Sequence, residues 1–204
     1  KNPKIILKNL DEIKLEEISS NISIFSYFQN KFAIKNLSIK SKNNKISSYI
    51  SFYTLTNNSL ELILLNQFFK KGIAQINIDF NFDDSGKIKK NYNLSGKISK
   101  AELKFPKYKS IRNLNFNFNI KDKNYKFEKI LFKFNEINFN SNLLKIKKEK
   151  DKFIVNGSLK NKKNKINKDI ISLILNNNLK NFDVSNSKFE SNTEFSFHLI
   201  KKFK

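Results

Sequence analysis

Residues able to do chemistry are few in this chain, and their spacing brings no reactive set together. The single histidine, His198, lies in EFSFHLIKK on the parity opposite to Phe195, Phe197 and Leu199. On a strand that parity faces water, so the imidazole reads as a surface group. A general base or metal ligand needs partners at matched spacing, and no carboxylate supplies them. Asp83 and Asp84 precede Gly86 in DDSG, a turn-forming cluster. Asp11–Glu12 and Glu16–Glu17 have no histidine near them in sequence. The tetrapeptide SGKI occurs at 85–88 and 95–98, without the spacing of a phosphate-binding loop. There is no cysteine, hence no thiolate nucleophile, disulfide or cysteine metal cluster. These residues predict a protein that is not an enzyme, with no catalytic residue, no metal site and no cofactor.

The regular spacing belongs to the apolar residues. In NLNFNFNI, Leu114, Phe116, Phe118 and Ile120 share one parity while asparagines occupy the other. Ile76, Ile78, Phe80 and Phe82 do the same in AQINIDFNF, and Ile130, Phe132 and Phe134 line up in YKFEKILFKF, with Phe139 following. Such period-two patterns predict strands with one oily and one wet face. DDSG at 83–86 and KDKN at 121–124 read as tight turns, and connections of two to four residues predict a meander of antiparallel hairpins. Parity slips between Ile98 and Ala101, which predicts a bulge near Ser99–Lys100, and Pro106 ends that strand or sits on an edge.

Before residue 60, NISIFSYF, KFAIKNLSIKSKN and KISSYISFYTL read as strands, and KIILKNLDEIKLEEI fits either strand pieces or a short helix. Two stretches carry helical spacing. One is NNSLELILLNQFFKKG, capped by Asn58, with Lys70 and Lys71 in its last turn and Gly72 at its stop. The other is NKDIISLILNNNLK from Asn167. The expected organisation is an N-terminal β segment over 1–57, a helix-plus-meander unit over 58–166, and the start of a further unit over 167–204, all in one continuous groove.

Composition narrows partners less than it first suggests. The net charge of +22 invites nucleic acid or an anionic membrane. Yet Arg112 is the only arginine among 40 basic residues, whereas readers of nucleic acid favour arginine's planar fork. Lysine, asparagine, isoleucine and phenylalanine also share A/T-rich codons. Phenylalanines between lysines would suit base stacking only on one shared face, and here the two types take opposite parities. The expectation is therefore no nucleic-acid partner. The absence of methionine predicts a piece of a longer protein. No apolar run approaches the roughly 18–20 residues that span a bilayer.

The oily face exceeds what two short helices can cover. A closed sandwich, a membrane barrel or an open trough would each resolve the mismatch. Strands of seven residues with lysines at both ends are short for a membrane barrel, whose strands run about nine to eleven residues. A closed sandwich would make a structural or adhesive β protein; a basic nucleic-acid-binding β protein is the remaining alternative.

The segments FFKKGIAQINIDFNFDDSGKIKKNYNLSGKI, IRNLNFNFNIKDKNYKFEKILFKFNEINFNSNLLKIKK and KFIVNGSLKN resemble the AsmA-like family of bacterial envelope proteins, over about residues 58–166. That resemblance implies a parent anchored in the inner membrane of a Gram-negative bacterium and extending through the periplasm. It also implies repeated sheets forming a groove that moves phospholipid between inner and outer membranes. The expected fold is mainly β: a curved antiparallel meander sheet forming an open groove, with two short α-helices. The expected partner is phospholipid or another acyl-chain lipid. An acyl chain of sixteen carbons crossing water faces on the order of 12 kcal/mol, at about 0.8 per CH₂. The expected groove lining is Ile76, Ile78, Phe80, Phe82, Leu114, Phe116, Phe118, Ile120, Ile130, Phe132, Phe134 and Phe139.

Overall fold

Period-two alternation becomes one antiparallel sheet. The structure, a computed structural model, describes residues 3–6, 11–56, 66–89, 91–105, 110–134, 136–149, 152–165 and 188–200. Its elements run β1 (Lys4–Ile5), β2 (Ile13–Ile22), α1 (Ile24–Phe28), β3 (Ile34–Ser41), β4 (Asn44–Lys45) and α2 (Ile46–Thr56). There follow β5 (Phe69–Asn81), β6 (Asn93–Leu103), β7 (Ile111–Lys121), β8 (Asn124–Phe134), β9 (Ile137–Glu149), β10 (Lys152–Lys165) and β11 (Lys188–Ile200). The strands pair in the order β1-β2-β3-β5-β6-β7-β8-β9-β10-β11, with β4 on β5. The two ends of that order are not joined, so the sheet is open, as expected.

Turns and bulges follow their sequence signals. Asp83 shapes the 83–86 turn by accepting from the Ser85 amide at 2.9 Å, the Ser85 hydroxyl at 2.7 Å and the Lys87 amide at 3.0 Å. Asp122 and Lys123 both have positive φ, 49° and 63°, which matches the right-handed twist of the two-residue hairpin between β7 and β8. Lys100, at φ 53°, is the bulge where parity slips in β6. Asn113 in β7 and Lys129 in β8 repeat the device, at φ 52° and 53°. Each is followed by a buried apolar residue: Ala101, Leu114 and Ile130. The bulges return these three side chains to the apolar face.

The helices depart from the sequence reading. KISSYISFYTL is not a strand but α2, and Ile24–Phe28 of NISIFSYF is the short α1. Ser23 caps α1, its hydroxyl oxygen accepting from the Ser26 amide at 3.2 Å, and this local bond overrides strand-forming side chains. In α2, Ile46, Tyr49 and Ile50 satisfy an i, i+3, i+4 spacing hidden among residues that favour strands. Ile46 and Ile50 are buried against Ala74, Ala101, Leu114 and Ile130. A polar network fixes the docking. The Tyr49 hydroxyl donates to Ser41 Oγ at 2.6 Å, and Ser41 Oγ accepts from the Ile76 amide at 2.8 Å. Asn44 donates to the Tyr49 oxygen at 2.9 Å and accepts from the Lys14 amide at 2.8 Å.

The helix expected up to Gly72 ends earlier. Residues 66–68 are helical, and β5 starts at Phe69, paired with Leu103. Lys70, Lys71 and Gly72 therefore lie in a strand. Gly72, at φ 148°, is required by close approach: a Cβ there would stand 2.5 Å from Ile46 Cδ1 and 2.9 Å from Ala101 Cβ. Asn58 and the rest of that expected helix, the helix from Asn167, and Pro106 lie outside the described residues.

Replacing Gly72 by alanine should cost about 1–3 kcal/mol in urea unfolding, because the added methyl pushes α2 off the sheet. Lys97→Ala, on an exposed site of β6, should stay within about 0.5 kcal/mol of the parent.

Candidate functional site

Register converts alternating sequence into continuous rows. Following directly opposed residues across the sheet gives Ile18, Ile39, Ile78, Leu94, Ile120, Tyr125, Ile146, Val155 and Phe197, one from each of nine strands. No polar residue interrupts them. Eight interstrand steps of about 4.8 Å make the row roughly 38 Å long. Its members are half-buried within the sheet except Val155, which is buried at 5% exposure, and they are exposed at its two ends, 51% at Ile18 and 45% at Phe197.

A second row runs beside it: Ile76, Gly96, Phe118, Phe127, Leu144, Gly157 and Phe195. Its two glycines are covered by neighbouring rings. A Cβ at Gly96 would meet Phe118 Cζ at 2.9 Å, and one at Gly157 would meet Phe195 Cζ at 2.9 Å. The tip of each ring thus fills the place that a side chain would take at the glycine.

The expected lining residues divide by position. Leu114 and Ile130 are buried in the cluster beneath α2, and Ile76, Phe116 and Phe132 pack against it. These five hold the helix to one end of the sheet. Phe139 stacks on Phe132 with centroids 5.3 Å apart. Ile78, Phe80, Phe118 and Ile120 are half-buried farther along the same face. Phe82 lies at the far end, paired with Ile88 and 5.4 Å from the Phe32 ring. Phe134 sits between Ile111 and Ile137.

Sequence reading missed Tyr125 and Phe127, because the bulge at Lys129 puts them on odd parity and Ile130 on even parity. It also passed over Leu144, Ile146, Val155 and Phe197 as lining. The signal was present: each repeats the alternation of a strand already recognised.

Among the described residues, α2 is the helix packed against this face, and no member of the nine-residue row belongs to its cluster. No large side chain among them is fully buried. The chain exposes 15207 Å², against roughly 10,000 Å² for a compact globular protein of this mass.

The opposite face is polar throughout the adjoining row: Glu17, Lys40, Asn77, Ser95, Asn119, Lys126, Lys145, Asn156 and Ser196. Hydrogen bonds link its side chains across strands. Ser38 donates to Asp79, Asn93 donates to Asp79 Oδ2 at 3.2 Å, and Asn119 donates to Asn93 Oδ1 at 3.1 Å. His198 opposes Ile154 on this face and is exposed. Asp83 and Asp84 belong to the turn, where the Lys35 ammonium donates to Asp84 at 2.8 Å. Among the described residues no three metal-ligating side chains converge, and no helix is long and apolar enough to cross a membrane.

Ion pairs tie neighbouring strands on the exposed surface. Lys40 holds Glu16 across β2 and β3 at 2.8 Å, and Lys71 holds Glu102 across β5 and β6 at 2.8 Å. A hydrogen bond from the lysine is the main cause that keeps each carboxyl below the ordinary carboxylate range. Lys4 does the same for Glu12, Lys35 for Asp84 and Lys133 for Glu136.

Comparison of the chain with protein-family models, curated proteins and solved structures gave no match.

The depressed carboxylates fix a pH dependence. Their contribution is complete above the unfolded carboxylate value of about 4 and disappears as pH falls through the lower folded values. The unfolding temperature should therefore be flat from about pH 8 to 5 and fall below about pH 4. A melting temperature that rises on acidification would contradict this assignment.

Proposed function

We propose that the apolar face shields the acyl chains of phospholipids during transfer between the inner and outer membranes of a bacterial envelope, within a longer periplasmic protein of the AsmA-like type. The observation that carries the reading is the uninterrupted nine-residue row, which α2 does not cover. An apolar surface of this extent on a soluble layer favours an oily occupant.

The chemistry suits sliding rather than tight capture. Aliphatic and aromatic side chains remove an acyl chain from water without a directional bond, so no single position holds it. A row of roughly 38 Å exceeds the ~15 Å depth of one leaflet, half of a ~30 Å hydrocarbon core, so more than one chain fits along it. Lysines and most of the half-buried aromatic rings occupy opposite faces, which weighs against stacking of nucleic-acid bases.

Protein purified without detergent should carry co-purified phospholipid, read by mass spectrometry of an organic extract. Ile120→Asp, in the middle of the row, should reduce bound lipid at least tenfold while leaving a cooperative melt. If Ile120 were sealed core, burying the carboxylate would instead cost several kcal/mol and abolish the melt. A lipid-free parent protein that also refuses added phospholipid would overturn the proposal.

A further inference from the structure

A recess of about 380 Å³ opens where β5 begins, beside the first residues of α2. Ile46, Phe69 and Ile73 give it apolar walls, and Lys45, Lys70, Lys71 and Lys100 stand around it. Lys45 reaches Asp11 at 3.3 Å and Lys71 reaches Glu102 at 2.8 Å. Lys70 and Lys100 have no ion pair among the described residues, so four cations face two carboxylates and two positive charges remain in excess.

Backbone irregularity collects these lysines. Lys100 is the positive-φ bulge residue of β6, and β5 changes register on both sides of Lys71. Strict alternation would send such side chains to opposite faces in turn. Here the register changes bring successive lysines to one mouth, next to apolar walls. On the polar face, by contrast, Lys126 and Lys145 oppose each other in a row of amides and hydroxyls.

The volume falls within the 300–1,000 Å³ usual for small-molecule sites. Its shape of chemistry, a cationic rim on an apolar wall, matches a phosphate ester joined to the first methylenes of a lipid. We propose that the recess holds the phosphate head of an anionic phospholipid and, because its two uncompensated ammonium groups repel the choline cation of a zwitterionic lipid as much as they attract its phosphate, selects net-negative over zwitterionic lipids; this rests on the lipid reading above. Two uncompensated lysines, at about fivefold each, give a preference of roughly 25-fold.

The test measures binding of tail-fluorescent phosphatidylglycerol and phosphatidylcholine with identical chains, presented as monomers to the purified chain. The parent should prefer phosphatidylglycerol roughly 25-fold. Lys70→Gln/Lys100→Gln should erase that preference and leave phosphatidylcholine binding unchanged, whereas Lys126→Gln/Lys145→Gln, which removes equal charge from the polar face, should keep it. All four lysines are exposed, so both variants should melt like the parent; should the first pair unfold, Lys100→Gln alone should lose about half of the preference in logarithmic terms. Equal binding of the two lipids by the parent overturns the headgroup site and leaves the groove standing. Equal loss of preference in both double variants overturns it in favour of net charge. Displacement of phosphatidylglycerol by inorganic phosphate at the lipid's own concentration overturns it in favour of a free-anion site. If neither lipid binds, both the recess and the groove readings fail.

Discussion

Cross-strand register is the constraint on which the rest of the molecule depends. A strand shows alternate side chains to opposite faces, so a slip of one residue between neighbours would exchange the oily and wet sets. Across nine strands no such exchange occurs along the row from Ile18 to Phe197. Where parity in the chain does change, at Lys100, Asn113 and Lys129, a positive-φ bulge absorbs the extra residue. The side chain that follows then rejoins the apolar face. Coherence of that face is thus maintained by backbone geometry as well as by residue choice.

A single layer also accounts for features of composition that otherwise point elsewhere. Each strand of a one-layer sheet needs its own solvated face, and here lysine, asparagine and serine supply it. The amide and carboxylate links from Ser38 through Asp79 and Asn93 to Asn119 satisfy polar groups beside the backbone. Lysines spaced along the polar face oppose stacking of one sheet on another. The large positive charge is in this view a requirement of the architecture, and at the mouth beside α2 it gathers against an apolar wall.

Much of the sheet was legible in the residues. Alternation located β5 through β11, DDSG and KDKN located turns, and the slip from Ile98 to Ala101 located a bulge. The helix α2 was not legible, because isoleucine, tyrosine and phenylalanine favour strands and serine favours turns. What makes 46–56 helical is tertiary: Gly72 and Ala101 leave space for Ile46, and Asn44 and Ser41 hold Tyr49. The same cause hid the burial of Leu114 and Ile130, which look in sequence like any other lining residue. Tyr125 and Phe127 were missed because a bulge shifts parity without leaving a glycine or proline as a mark.

The central claim is that one face of the sheet is open to a hydrocarbon chain and the other is not. Photo-crosslinking tests it most directly, with a benzophenone amino acid placed in turn at Ile78, Ile120 and Ile146, and at Asn77, Asn119 and Lys145 on the reverse face. The account predicts phospholipid adducts at the first three positions and none at the second three. Adducts at equal yield on both faces, or at neither with lipid present, would contradict it.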